Sequence, residues 1–273
     1  NQRQAESFRK MMLAMVKDIR VILIKLADRL HNIQTLGALD QKKQMRIGKE
    51  TLEVYAPIAN RLGIFSMKIA LEQEAFKFAY PYRYKIINKG LKRRLGNQKK
   101  VLKKISTRIS NKLKEEQVLH DIEAREKDIF SVYKKMKKRH LSLDQIVDMY
   151  GLRIIVDDIH DCYQVLGLVH EVYKPIMGKF KDYIAIPRVN GYQSIHTSLL
   201  GPSGTPIEVQ IRTKAMHRVA ENGIAAHWKY KSENPTDSTP QTKAREWLAS
   251  IQEIQGVSHP EEFLESVKVD LFP

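Results

Sequence analysis

Residues 195–212 read IHTSLLGPSGTPIEVQIR, two alternating segments joined by a Gly/Pro/Ser turn, and this pattern commits the C-terminal half of the chain to a sheet. Period-2 alternation places Ile207, Val209 and Ile211 on one face and Glu208, Gln210 and Arg212 on the other. The apolar face has to close on a core, so the polar face is expected to look at solvent or at a ligand. Amphipathic strands of this kind are routine, and three polar residues in a row identify no site by themselves. GLRIIVDD at 151–158 is a compact apolar run that reads as a central strand, and HDIEAR at 120–125 as a further one.

Before residue 119 the spacing is helical. Leu23, Leu26, Leu30 and Ile33 recur on one face within 7–36. Residues 51–61 and 67–79 predict two more helices, the second ended by Tyr80-Pro81. Over 83–116 the residues Ile87, Leu91, Leu95, Leu102, Ile105, Ile109 and Leu113 form a narrow apolar stripe, with Gly96-Asn97 expected to divide it into two helices. Helical spacing returns at 127–138, at 159–173 and from 214 to about 230. SENPTDSTPQT at 232–242 is a linker by composition, followed by two short helices. The fold class is therefore α+β, a helical N-terminal part followed by a sheet flanked by helices.

Composition narrows the function. A chain of 273 residues that is 42% hydrophobic can bury a core. No apolar run approaches the ~20 residues of a membrane span, and no signal peptide is read at the start. The single Cys162 excludes an internal disulfide framework and a thiolate zinc site, and points to a reducing, cytoplasmic setting. The chain opens at Asn1 inside a helical pattern and is expected to be a segment of something longer. The net charge of +16 is unevenly spread: residues 81–114 hold 13 Lys/Arg and no acid. Such a block attracts nucleic acid, acidic proteins or polyphosphate, and it is as readily the solvated face of a long helix.

Several residues are candidates for chemistry. Asp148 precedes the GLRIIV strand, and with Glu208 it could supply the one or two carboxylates that Mg²⁺ takes alongside water and phosphate. Asp148 as a plain turn residue is the alternative. In GKFKDYIAIPRVNGYQSIHT, from residue 178, Lys179, Lys181 and Arg188 can neutralise phosphates. Asn190-Gly191 favours a tight turn, Tyr192 offers a face on which a base stacks for ~1–3 kcal/mol, and His196 can donate to phosphate or hydroxyl. An ordinary hairpin with a half-buried Tyr explains the same letters. Arg125, Lys127, Lys134 and Lys135 surround the start of a helix, where anions are favoured, or are simply helix surface. In KLADRLHN, Asp28 and Asn32 stand one turn apart beside His31; Asp28 is a metal ligand or half of an ion pair with Arg29 or Lys25.

VILIKLADRLHN, YAPIANRLGI, DYIAIPRVNGYQSIHT, EVQIRT and GIAAHWKYK, in that order from about residue 8 to 232, resemble the Rel/SpoT family of (p)ppGpp synthetase/hydrolases. The closing VKVDLFP resembles the lead-in to that family's regulatory domain. The resemblance implies a nucleotidyltransferase-like mixed sheet that moves the β,γ-pyrophosphate of ATP to the 3′-hydroxyl of GDP or GTP with Mg²⁺. It places Asp148 and Glu208 as the acidic pair, with Asp148 on Mg²⁺ and Glu208 assisting it or deprotonating the 3′-hydroxyl. Tyr192 would stack the guanine, supported by Asn190, with Gln210 on the same side. Arg125, Lys127, Lys135 and Arg153 would surround ATP, and Lys181, Arg188 and His196 would meet phosphates. Positioning and charge stabilisation are most of what such a transfer needs.

The sequence also departs from the family. Position 179 is Lys where bifunctional members have Arg, and 188 is Arg where Lys is usual. Asp128 stands where the ATP-side motif has a His or similar residue, and an acid near phosphates is expected to weaken synthesis. Of the family's Mn²⁺-dependent hydrolase site only Asp28 remains, with Asn32 beside it; one carboxylate does not hold a catalytic Mn²⁺, so hydrolysis by this chain is not expected. The implied organisation is an HD hydrolase remnant over 1–62, a helical connector over 63–118, the synthetase over 119–232, and a linker with helices over 233–273. The competing reading is a nucleotide-sensing module whose basic helix binds RNA (ribosomal or transfer) or an acidic regulatory protein.

Overall fold

A computed structural model describes residues 18–146, 150–188 and 190–222, together with Glu6, Lys10, Glu246 and Ala249. Four of its helices begin at an aspartate whose carboxylate accepts an otherwise unpaired backbone N–H. Asp18 accepts from Arg20 at 2.9 Å, Asp40 from Lys43 at 3.0 Å, Asp128 from Ser131 at 2.8 Å and Asp158 from Asp161 at 2.9 Å. The described residues form two units. One takes those up to Pro81 with 190–191 and 221–222; the other takes Tyr82–Arg188 and Tyr192–Ala220.

The first unit is helical: α1 (Ile19–Gln34), α2 (Gln41–Glu50), α3 (Ala56–Arg61) and α4 (Phe65–Ala79). Ile22, Leu26, Ile33, Ile58, Leu71 and Phe76 are among its buried apolar residues, each contributing roughly 1.5–3 kcal/mol by leaving water. The predicted helix over 51–61 is continuous with α2, a helix that periodicity did not find because its residues are mostly polar. Between α2 and α3 the turn widens to a π-helix at Thr51–Tyr55, just ahead of Pro57, whose ring excludes a normal turn there. Gly48 lets α2 touch α4: a Cβ there would stand 2.8 Å from the Ala79 nitrogen.

The second unit begins at Tyr82, in α5 (Pro81–Glu115), one uninterrupted helix of 35 residues. The break expected at Gly96-Asn97 does not occur. A glycine inside a helix costs only about 1 kcal/mol, and the buried stripe of Ile87, Leu102, Ile105, Ile109 and Leu113 outweighs it. There follow β1 (Asp121–Glu126), α6 (Ile129–Arg139), β2 (Tyr150–Val156), α7 (Ile159–Val172), β3 (Lys181–Asp182), β4 (Ile195–Leu200), β5 (Pro206–Thr213) and α8 (Lys214–Asn222). The strands form one mixed sheet in the order β1-β2-β5-β4-β3, parallel only between β2 and β5. The α+β class and the mixed sheet are as the sequence implies. Ile154, Val156, Val209, Ile211, Ile195 and Leu199 line one face and are buried; α7, whose Val165 and Val169 are buried, packs on β2, β4 and β5. That packing leaves the other face to the polar residues. Among the described residues no helix is long and apolar enough to cross a membrane.

Candidate active site

Strand register gathers the candidates on the face away from α7. Gly151 pairs with Glu208 and Arg153 with Gln210 between β2 and β5; His196 pairs with Gln210 and Ser198 with Glu208 between β4 and β5. At the edges Arg125 pairs with Gly151, Glu123 with Arg153, and Lys181 with His196. Directly paired residues project to the same side. Arg125, Arg153, Glu208, Gln210, His196 and Lys181 therefore share one surface although 87 positions of sequence separate Arg125 from Arg212 at its far end.

The expectation of an open polar face holds only around Glu208. Towards the end of β5, Arg212 is 1% exposed and donates to His217 of α8 at 2.6 Å, so that end is covered. Gln210, 5% exposed, is buried as well.

Glu208 is the centre of charge. Its Oε2 lies 3.2 Å from Lys127 Nζ and its Oε1 3.5 Å from His196 Nδ1. Burial alone would raise its pKa; the contact with His196 and the Lys127 charge overcome that and hold the carboxyl well below the ordinary carboxylate range. Burial lowers the His196 pKa, against the opposing pull of Glu208 and with help from the Arg188 and Arg125 charges. At neutral pH the imidazole is thus uncharged, and Lys127 supplies the positive charge that Glu208 feels. Carboxylate at Nδ1 favours the tautomer with its proton there, leaving Nε2 to accept the Tyr192 hydroxyl at 2.8 Å.

Tyr192 is half-buried in an aromatic group. Tyr183, Tyr192 and His196 meet edge to face with centroids 5.2–6.1 Å apart. Arg188 lies over both tyrosines, 4.4 Å from the Tyr183 centroid and 5.8 Å from that of Tyr192, and donates to the Tyr183 hydroxyl at 2.8 Å. Asp182 shapes this loop by accepting from the Ile184 and Ala185 nitrogens at 2.8 and 2.9 Å and from the Tyr163 hydroxyl at 2.9 Å. Tyr183 escaped the sequence reading, although it sits between two predicted phosphate contacts. Gly151 escaped too: a Cβ there would stand 2.9 Å from the Glu208 carbonyl oxygen.

Other candidates fall elsewhere. Asp148 lies outside the described residues. Asn190 belongs with the helical unit, its amide donating to the Asn60 carbonyl at 3.0 Å. Arg153 is held by Glu123 at 3.1 Å. Lys135 lies on α6, and Lys134 covers the Phe130 ring at 4.8 Å. Asp128 caps α6, its carboxylate accepting from the Ser131 nitrogen, which gives an acid there a structural role. Asp28 is exposed on α1, and Arg29 does not pair with it: Arg29 bonds Glu50 through both terminal nitrogens at 3.3 Å and lies 3.9 Å from the Tyr55 centroid. Among the described residues no three His, Cys, Asp or Glu gather to hold a metal ion. Glu208, anionic and partly open, fits a single oxygen ligand to Mg²⁺.

A mixed sheet bearing cations around one ionised carboxylate defines an α+β protein suited to phosphate-rich ligands. Residues 124–235 match the region found in RelA / SpoT proteins, and residues 1–65 match an HD domain. It is 51% identical over 271 residues to the bifunctional (p)ppGpp synthase/hydrolase SpoT of Escherichia coli K12, covering 99% of this chain and 39% of that protein. It is 47% identical over 272 residues to a GTP pyrophosphokinase of Myxococcus xanthus, covering 99% and 36%. The chain spans about two fifths of the length of the curated relatives it matches. Among solved structures, small alarmone synthetase 2 from Bacillus subtilis overlaps with a TM-score of 0.45 at 26% identity, over 65% of this chain and 98% of that one.

Proposed function

We propose that this chain carries a (p)ppGpp synthetase: the 3′-hydroxyl oxygen of GDP or GTP attacks the β-phosphorus of ATP, the bond to the α-phosphate oxygen breaks, AMP leaves, and the hydroxyl proton is released. The observation that carries this is Glu208, held ionised between Lys127 and His196 on a face that also bears Arg125, Arg153 and Lys181. Tyr192 is the base platform, and Arg188, 5.8 Å from its ring centroid, is the cation for a phosphate of a nucleotide bound there. Glu208 and Asp148 would hold Mg²⁺, which when bound neutralises phosphate charge. A carboxylate with a lowered pKa is a weak base and a good anion, so the state of Glu208 favours ligand over proton acceptor. Its neutral neighbour His196 then fixes the Tyr192 hydroxyl rather than a phosphate.

Mixing the chain with ATP, GDP and Mg²⁺ should yield a 3′-pyrophosphorylated guanosine nucleotide and AMP. Product should vanish in Glu208→Gln and Tyr192→Ala. If wild type makes none while both nucleotides bind, the nucleotide-sensing reading replaces this one. For the whole protein we further assign Asp28 to the Mn²⁺ site of a (p)ppGpp hydrolase within the HD-matched segment. This chain is expected not to release pyrophosphate from ppGpp, and turnover with added Mn²⁺ would overturn that. A nucleotide-dependent reaction and the buried free Cys162 fit a cytoplasmic setting.

A further inference from the structure

The solvent side of α5 lies opposite its buried stripe and is almost wholly cationic. At 100° per residue, Tyr82, Lys85, Lys89, Lys92, Lys100 and Lys103 fall on one face, and Lys104 borders it. All seven are exposed, and none of these lysines pairs with a carboxylate among the described residues. From Tyr82 to Arg108 the track runs about 40 Å at the rise of an α-helix. Its second half widens into a groove of about 930 Å³ against Glu171 and Val172 of α7. Arg108 lies at the edge of this groove, 5.3 Å from the Tyr173 centroid. The synthetase reading uses none of these groups.

We propose that this face of α5 binds single-stranded RNA. Within each of the two runs, Lys85 to Lys92 and Lys100 to Lys104, cations recur about once per turn or closer, and one turn is about 5.4 Å, near the spacing of successive phosphates along one strand. The number of phosphates they meet makes this a line of contacts rather than a mononucleotide pocket. Tyr82, 73% exposed at the start of the track, is a stacking platform that an acidic protein would not need. Thr107 and the exposed Asn111 stand among the cations as hydrogen-bonding groups for a ribose 2′-hydroxyl.

The test is fluorescence anisotropy of the chain with a labelled 20-nucleotide oligo(A) RNA over 50–300 mM NaCl. With about six phosphates neutralised, log K should fall against log[salt] with a slope near −4. Charge reversal at Lys100, Lys103 and Lys104 together should flatten the slope by about 2 and weaken binding more than tenfold at low salt. Tyr82→Ala should weaken binding several-fold and leave the slope unchanged. Reversal of Lys137, Lys138 and Arg139 on α6 should change little, and unaltered circular dichroism of each variant keeps the comparison valid. No binding at 50 mM NaCl, or equal loss from the α6 variant, overturns the proposal. Equal affinity for oligo(dA) overturns the choice of RNA, and equal affinity for poly-glutamate shows the face to be a site for acidic proteins instead.

Discussion

Tyr192 and Glu208 are joined through a single imidazole: the tyrosine hydroxyl lies 2.8 Å from His196 Nε2, and His196 Nδ1 lies 3.5 Å from Glu208 Oε1. The ring proposed to carry the base and the carboxylate proposed to carry the metal thus share one neutral intermediary.

His196 should titrate below the ordinary 6.5, because burial disfavours its charged form. Glu208 opposes that shift, so Glu208→Gln should lower the His196 pKa further. Imidazole NMR across pH 4–8 reads both; a His196 pKa above 6.5 in wild type would contradict the geometry. The stabilising effect of keeping His196 neutral is complete above pH 6.5 and is lost as pH falls through its lowered value. That of Glu208 is present above its ordinary 4.5 and is lost only at still lower pH.

Gly151→Ala should impair the site from beneath. Its Cβ would meet the Glu208 carbonyl oxygen at 2.9 Å, so β2 and β5 must part where Glu208 is held. We expect a loss of ~1–3 kcal/mol in denaturant unfolding and a fall in pyrophosphate transfer of more than tenfold. Unchanged activity would show that the strands have slack there.

Asp182→Ala should act on guanosine-nucleotide affinity. The carboxylate accepts two backbone N–H bonds and the Tyr163 hydroxyl, fixing the loop that presents Tyr183 and Arg188. KM for GDP should rise several-fold with KM for ATP little changed. A fall in kcat alone would place Asp182 in another role.

Asp128→Ala should cost about 1 kcal/mol, the usual effect of removing a helix cap. It should not raise synthesis. An increase in transfer rate would show that this acid repels phosphate.

Cys162 should resist thiol reagents in the folded chain. Burial, aided by Asp161, Asp158 and Asp182, pushes its pKa up to about 12, so thiolate is scarce at neutral pH. Labelling should appear only on unfolding, and rapid native labelling would refute the packing of α7 on the sheet.

The polar side of PIEVQIR was legible as a pattern, yet only part of it is open. Alternation says which residues share a face, and it says nothing of what later covers that face; α8 lies over Arg212 and leaves Glu208 accessible. Asp128 was visible as a departure, and its role was not, since capping depends on where the helix starts. The break expected at Gly96-Asn97 shows the opposite error: a local signal yielded to a long buried stripe.

What the sequence by itself determined is what neighbours along the chain can settle: the periodicities, the block of cations on α5, and the ordered segments that mark the family. Tertiary structure alone decided the pairing of β2 with β5, and with it the meeting of Glu208, His196 and Lys127. It also decided the ionisation of that group. A charge state depends on burial and on partners brought near through space, and neither is written in the order of residues.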